Sequence, residues 1–252
     1  FNKDLDEDIR FMKEGIANGI LTPERIDEAV TRILAMKAAL HLPEKQTEAR
    51  LVPPKEDLAV LKGEKHVEWA KQAADNGITL VKDTADNLPL RPEATPRLLL
   101  QVIGPYEEAN TQITSTVIPL LEKAGFRVTL YQPEDFTTGF ESVSQFRSKY
   151  DAVLYLANVE NRSNATTTRI NWYTFFGQGN NIPWFVDEVP TVFASLGNPY
   201  HLMDVPMVKT YINTYDNHQA VIEALVAKIL GKSDFKGVSP IDPYCGLMDA
   251  RR

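Results

Sequence analysis

Hydrophobic positions follow two rhythms along the chain, and the change falls at Gly77. Before it, apolar residues recur at helical spacing. Over residues 22–41, Ile26, Val30, Ile33, Leu34 and Leu40 fall near i, i+4, i+7 and i+8, giving a helix with one apolar stripe. Thr22 is placed as its N-cap, with Pro23 at the first helical position, where a missing N–H costs nothing. Residues 4–18 predict a preceding helix, closed by Asn18-Gly19. Two helices alone cannot keep these stripes from water, so they must lie on something else. Pro43 is expected to end the second helix and to open a polar linker that runs to Asp57 and contains Pro53-Pro54. A further helix is predicted from about Asp57 to Asp75, ended by Asn76-Gly77.

After Gly77, apolar runs of strand length alternate with helices. The predicted strands are Ile78–Val81, Leu98–Ile103, Val128–Tyr131, Ala152–Leu156, Thr191–Leu196 and Met207–Ile212. Several are apolar at successive positions rather than at every second one, as expected when helices cover both sheet faces. Helices are predicted at 107–125, 141–149 and 217–230, punctuated by Gly104-Pro105, Gly125, Gly197-Asn198-Pro199 and Gly231. This is the arithmetic of βαβ units. The expected fold class is α/β, a three-layer α/β/α sandwich with a mostly parallel sheet.

Composition changes this picture little but excludes some partners. The chain has 252 residues with 43% hydrophobic and 24% charged residues, and a net charge of -7. That balance offers no basic field for nucleic acid or anionic lipid. No apolar run approaches the roughly 20 residues of a membrane-spanning helix. A single cysteine, Cys245, excludes an internal disulfide framework. The opening Phe1-Asn2-Lys3-Asp4 has neither a start Met nor a signal-like segment. A fragment is therefore expected, with any targeting signal in an upstream part and the compartment, extracellular, cell-surface or cytoplasmic, left open.

Five stretches carry a family resemblance. Gly19 to Lys37 resembles the last barrel helix of glycoside hydrolase family 3. Ala73 through Val81, Lys82, Asp83 and Leu88-Pro89-Leu90 resemble the entry strand of that family's second domain. Val189 to Tyr200, Lys209 to Asn213 and the tail from Gly231 to Gly246 are similar to the two-domain bacterial β-N-acetylglucosaminidases. The resemblance implies three parts: residues 1–42 as terminal helices of a TIM-like catalytic barrel, 43–76 as linker and connecting helix, and 77–252 as the family's C-terminal α/β domain. It also implies retaining hydrolysis of terminal N-acetylglucosamine, for example from peptidoglycan fragments, by a bacterial parent enzyme. The family's nucleophilic aspartate and its histidine–aspartate acid/base belong to the barrel, upstream of Phe1. Its Lys-His dipeptide is followed by Pro and Gly, whereas Lys65-His66 precedes Val67-Glu68-Trp69, so that match fails. The expected partner is thus the missing N-terminal barrel of the same protein, and the fragment itself is expected to be inactive. Self-association through residues 4–41 is the expected alternative for the uncovered stripes.

The remaining residues offer little chemistry of their own. Retaining glycoside hydrolysis needs two carboxyl groups roughly 5 Å apart. Asp187-Glu188 is a pair of neighbours whose side chains point to opposite faces in an extended segment. Ser195 sits in Phe193-Ala-Ser-Leu-Gly197, with phenylalanine where a nucleophile elbow needs glycine. No glycine-rich phosphate turn follows the first strand, which disfavours a nucleotide binder. His41, His66, His201 and His218 lack metal-ligand spacing, so neither metal nor cofactor is expected. Asn161-Arg-Ser163 and Asn164-Ala-Thr166 are formal glycosylation sequons. The loop from Asn158 to Gly179 holds Arg162, Arg169, Asn171, Trp172 and Tyr173. Aromatics beside arginines and amides suit a sugar, whose ring has apolar C–H faces and hydroxyl edges, and loops at strand C-termini are where α/β folds hold ligands. These five are the candidate substrate contacts, and they also support an alternative, a non-catalytic carbohydrate- or muropeptide-binding module.

Overall fold

A computed structural model describes residues 3–132, 142–161, 168–172, 174–175, 178–179 and 181–246. The chain divides after Gly63 into two compact units. The first contains helices α1 (Leu5–Ala17), α2 (Pro23–Ala39) and α3 (Leu42–Thr47), then a 3-10 turn at Lys55–Val60. The Asp4 carboxylate accepts from the Asp6 and Glu7 amides at 3.0 and 3.1 Å, which satisfies two orphan donors of α1. Thr22 caps α2 as predicted, its Oγ1 accepting from the Arg25 amide at 3.2 Å, with Pro23 in the first turn.

Pro43 behaves differently from the sequence expectation. Leu40 ends α2, His41 takes φ 54°, and the chain turns into α3 with Pro43 in its opening turn. There a proline removes no helical hydrogen bond, so it starts a helix inside the stretch read as a linker. Neither α1 nor α2 has a buried residue. Leu5, Phe11, Met12, Leu34 and Met36 are each more than half exposed.

The second unit opens with α4 (Glu64–Gly77). The single helix expected from 57 to 75 is interrupted, because Lys62 adopts φ 60° and ends the 3-10 turn before α4 starts. The strands follow as β1 (Thr79–Asp83), β2 (Arg97–Ile103), β3 (Arg127–Leu130) and β4 (Ala152–Asn158). A short ribbon comes next, β5 (Thr174–Phe175) with β6 (Gln178–Gly179), and then β7 (Thr191–Leu196) and β8 (Thr210–Asn213). The helices among them are α5 (Glu107–Ala124), α6 (Val143–Lys149) and α7 (Gln219–Ile229).

Six strands form one sheet in the order β1-β8-β7-β4-β2-β3. All neighbours are parallel except β1, which runs antiparallel to β8 along one edge. Every residue of β4 and β7 is buried, as central strands covered on both faces must be. Alternate side chains feed opposite faces. Leu98 and Leu100 pack with Val117, Leu121, Leu154, Ile222 and Leu225 in one layer. Leu99 joins Val153, Tyr155, Phe185, Phe193 and Tyr211 in the other. The three-layer arrangement read from the strand pattern is thus the observed one.

One charge lies inside the packing. Lys228 of α7 has no side-chain exposure, and its three N–H donors meet Asp75 Oδ1 at 3.0 Å, Ser233 Oγ at 3.1 Å and the Asp234 carbonyl at 2.6 Å. Asp75, near the end of α4, also accepts from Ser233 Oγ and from Lys236 Nζ at 2.8 Å. The bonds from Lys236, Ser233 and Lys228 hold its carboxyl well below the usual carboxylate range, against the opposing effect of burial.

Candidate functional site

The sheet order creates one topological switch. The chain leaves β2 outward to β3 and then returns to the inner side as β4. Loops that follow β2 and β4 therefore part from one another, and such a point beyond the strand C-termini is where open α/β sheets bind ligands.

Three amides and a glycine build this corner. Asn110 of α5 donates from Nδ2 to the Gly104 carbonyl at 3.0 Å. Asn158, which ends β4, donates to Asn110 Oδ1 at 3.2 Å and accepts at its own Oδ1 from Asn217 Nδ2 at 2.8 Å. A Cβ on Gly104 would stand 2.6 Å from the Asn158 carbonyl oxygen and 2.7 Å from Asn110 Oδ1, so only glycine fits this close approach. Beside it, Glu160 lies against Gly197, whose φ of +77° is a conformation that favours glycine. The first turn of α5 carries Glu107 and Glu108, whose negative charge makes its N-terminus unfavourable for an anion.

A second constellation holds Thr168 and Ile170 in the middle of the 158–179 loop. The His201 Nε2 lies 2.9 Å from the Thr168 carbonyl and its Nδ1 lies 2.6 Å from Ser195 Oγ. A carbonyl can only accept, so Nε2 carries the proton; the single hydroxyl proton of Ser195 faces both Nδ1 and the Asn198 carbonyl. Burial drives the His201 pKa down, opposed by the bond to Thr168 and the charge of Asp204. The pair is not a nucleophile–base dyad aided by a carboxylate. Ser195 has no exposure, and the far nitrogen of the ring meets a backbone carbonyl. Next to it, Asp204 accepts the Ile170 amide at 3.3 Å and pairs with Arg169.

The candidate contacts are placed as follows. Arg169 is exposed and held by its Asp204 pair, and Asn171 is exposed. Trp172 is half-buried and packs against the layer containing Phe185 and Tyr211. Arg162 and Tyr173 lie outside the described residues. Asp187 pairs at the surface with Lys209 at 3.0 Å, and Cys245 is exposed. Among the described residues no group of three His, Cys, Asp or Glu side chains gathers as for a metal, and no helix is long and apolar enough to cross a membrane. Asn110, Asn158, Asn217 and Asp204 were not singled out by chemistry in the sequence, and His201 was weighed there only as a metal ligand, although an asparagine closing the all-apolar run 152–157 was a readable signal.

The chain matches known proteins over nearly its whole length. A β-N-acetylglucosaminidase/β-glucosidase of Cellulomonas fimi is 41% identical over 255 residues, which span 99% of this chain and 44% of that protein. The solved β-glucoside phosphorylase BglX is 41% identical and superposes with a TM-score of 0.73, over 99% of this chain and 44% of its own. A glycoside hydrolase family 3 β-N-acetylglucosaminidase from Paenibacillus sp. str. FPU-7 shares the fold at 20% identity and TM-score 0.53, over 91% of this chain and 41% of its own. No protein-family model matches. The chain is similar to glycoside hydrolase family 3 proteins and has the α/β fold of that family's C-terminal domain. It spans less than half the length of the relatives it matches.

Proposed function

We propose that the chain is the C-terminal accessory lobe of a family 3 enzyme that acts on β-linked N-acetylglucosaminides or glucosides. The carrying observation is the pairing of 99% coverage of this chain with 44% coverage of the Cellulomonas fimi relative, which leaves most of that protein outside the match. The lobe's role is to cover the barrel and to brace loops beside the substrate. Residues 1–42 are the barrel's last helices, residues 43–76 the connection and residues 77–252 the lobe. The exposed stripes of α1 and α2 are the surface on which the rest of the barrel packs.

For the parent, the finer reading is removal of terminal N-acetylglucosamine from peptidoglycan fragments in a bacterium. Its two 41%-identical relatives carry names of different chemistry, glycosidase and phosphorylase, so water and phosphate are both acceptors to test. Arg162, Arg169, Asn171, Trp172 and Tyr173 are proposed to face the sugar, and the anchoring of their loop by His201 and Asp204 supports this reading. The test assays the chain alone on aryl β-N-acetylglucosaminide and aryl β-glucoside, each with and without inorganic phosphate. No turnover is expected, and turnover matching a full-length enzyme refutes the proposal. Titration with N-acetylglucosamine oligomers addresses the binding-module alternative, which chemical-shift changes at Trp172 would favour.

A further inference from the structure

A second place in the α/β unit has the makings of a ligand site, and it owes nothing to the parent's activity. A cavity of about 250 Å³ is bordered by Val81 and Lys82 of β1, by Leu202, and by Ile241, Pro243 and Tyr244 of the C-terminal tail. Neighbouring strand residues ordinarily face opposite ways. Here the pairing of β1 with β8 slips between Leu80 and Lys82, and a bulge of this kind re-aims side chains, which brings Val81 and Lys82 to one cavity.

Lys82 is 94% buried by its residue exposure of 6%. Its Nζ donates to the Pro206 carbonyl at 2.9 Å, a neutral acceptor that uses one of three N–H groups. Lys82 forms no ion pair with a carboxylate among the described residues; the charge acting on it is the like charge of Lys209, and burial lowers its pKa. A buried ammonium without a counter-charge is an arrangement that proteins normally compensate. The one carboxylate on the cavity wall, Asp242, is turned to other work: Oδ1 accepts the Tyr244 amide at 3.0 Å and Oδ2 the Gly246 amide at 2.7 Å. The tail wall is itself built, since the Tyr244 hydroxyl donates to the Leu202 carbonyl at 2.7 Å and Ser239 Oγ to the Ile241 carbonyl at 2.8 Å.

We propose that this cavity binds a small organic carboxylate with a compact apolar body, its oxygens taking the free donors of Lys82 and its body lying against Val81, Leu202, Ile241 and Tyr244. The size agrees: a dry cavity of about 150 Å³ accommodates benzene, so a larger one accepts a ring with a carboxylate attached. The charge selects the anion, and the apolar lining selects against a fully hydrated one such as inorganic phosphate.

The test titrates the full chain with sodium benzoate, benzamide and inorganic phosphate at constant ionic strength, following amide resonances of Val81, Leu202, Ile241 and Tyr244. Benzoate is expected to shift these resonances saturably, with benzamide and phosphate each at least tenfold weaker. Lys82→Met is expected to weaken benzoate at least tenfold, and Lys82→Arg to retain most of the binding. Equal affinity for benzamide, tighter binding of phosphate, or no saturable shift overturns the proposal. So does undiminished benzoate binding by Lys82→Met. The benzoate-to-benzamide ratio is read on the unaltered chain and stands even if Lys82→Met fails to fold.

Discussion

Replacing Asp75 by asparagine should cost far more than replacing Lys228, although the two form one ion pair. Asp75→Asn keeps the shape but removes the charge opposite an ammonium that has no exposure. Lys228 is then left with Ser233 Oγ, the Asp234 carbonyl and a neutral amide oxygen. Breaking a buried pair from one side costs about 3–5 kcal/mol. Asp75 is 32% exposed, so water offsets part of this and the low end, about 3 kcal/mol, applies. Lys228→Met instead removes the buried charge together with its desolvation and leaves a chain of similar length. Asp75 keeps Ser233 and Lys236, and the exposed Asp234 residue can turn its carbonyl to water. With the buried charge gone, the remaining carboxylate is partly exposed and still paired, so this loss should be the smaller of the two. The double variant Asp75→Asn/Lys228→Met should therefore be more stable than Asp75→Asn alone. The assay is urea unfolding of the full chain, where about 3 kcal/mol lowers the midpoint by about 1.5 M for a slope near 2 kcal/mol/M. Strict additivity in the cycle, or a larger loss in Lys228→Met than in Asp75→Asn, refutes this account of the buried charge. The pH dependence follows with its sign. The folded pKa of Asp75 is depressed, so its contribution is complete above the unfolded value near 3.9 and disappears as pH falls through the lower folded value.

Three further outcomes are expected. Gly104→Ala forces a methyl carbon against the Asn158 carbonyl and Asn110, and should lower stability by about 1–3 kcal/mol while shifting the Asn158 and Asn217 side-chain amide resonances; an unchanged melting profile with unshifted resonances would show the corner to be slack. His201 is neutral when folded with a lowered pKa, so the unfolded state takes up more protons below about pH 6.5 and the anchor weakens as pH falls. Hydrogen exchange at the Ile170 amide, corrected for intrinsic rates, should therefore be faster relative to other amides at pH 5 than at pH 7.5, and His201→Gln should flatten this difference. Finally, the wet stripes of α1 and α2 should drive association of the isolated chain; light scattering with and without residues 4–41 checks this, and identical monomers would refute it.

Much of the architecture could be read from the order of the residues because its signals are local. Strand runs such as 152–156 and 191–196 are too short for helices and apolar at most successive positions, and each landed in the centre of the sheet. Thr22-Pro23 and Asn18-Gly19 marked helix ends for reasons of hydrogen-bond supply and backbone handedness. What escaped the sequence depends on tertiary neighbours. Pro43 is compatible with stopping a helix or starting one, and the left-handed His41 decides between them. The antiparallel course of β1 follows from where α4 delivers the chain, which no periodicity records. At the site, the aromatic and basic loop stood out by composition, but its anchors did not. His201 and Asp204 are solitary residues whose meaning appears only when Thr168 and Ile170 arrive from more than thirty positions away.

The network around Lys228 also has a topological consequence. Asp75 stands just before the first strand of the sheet, and Ser233 and Lys236 stand just after the last helix, yet all three share one carboxylate. The approach to the first strand and the exit from α7 are thus tied at one corner, and the tail that follows runs on across the sandwich until Tyr244 meets the Leu202 carbonyl. Loosening that one carboxylate would therefore free the start of the sheet and the root of the tail together.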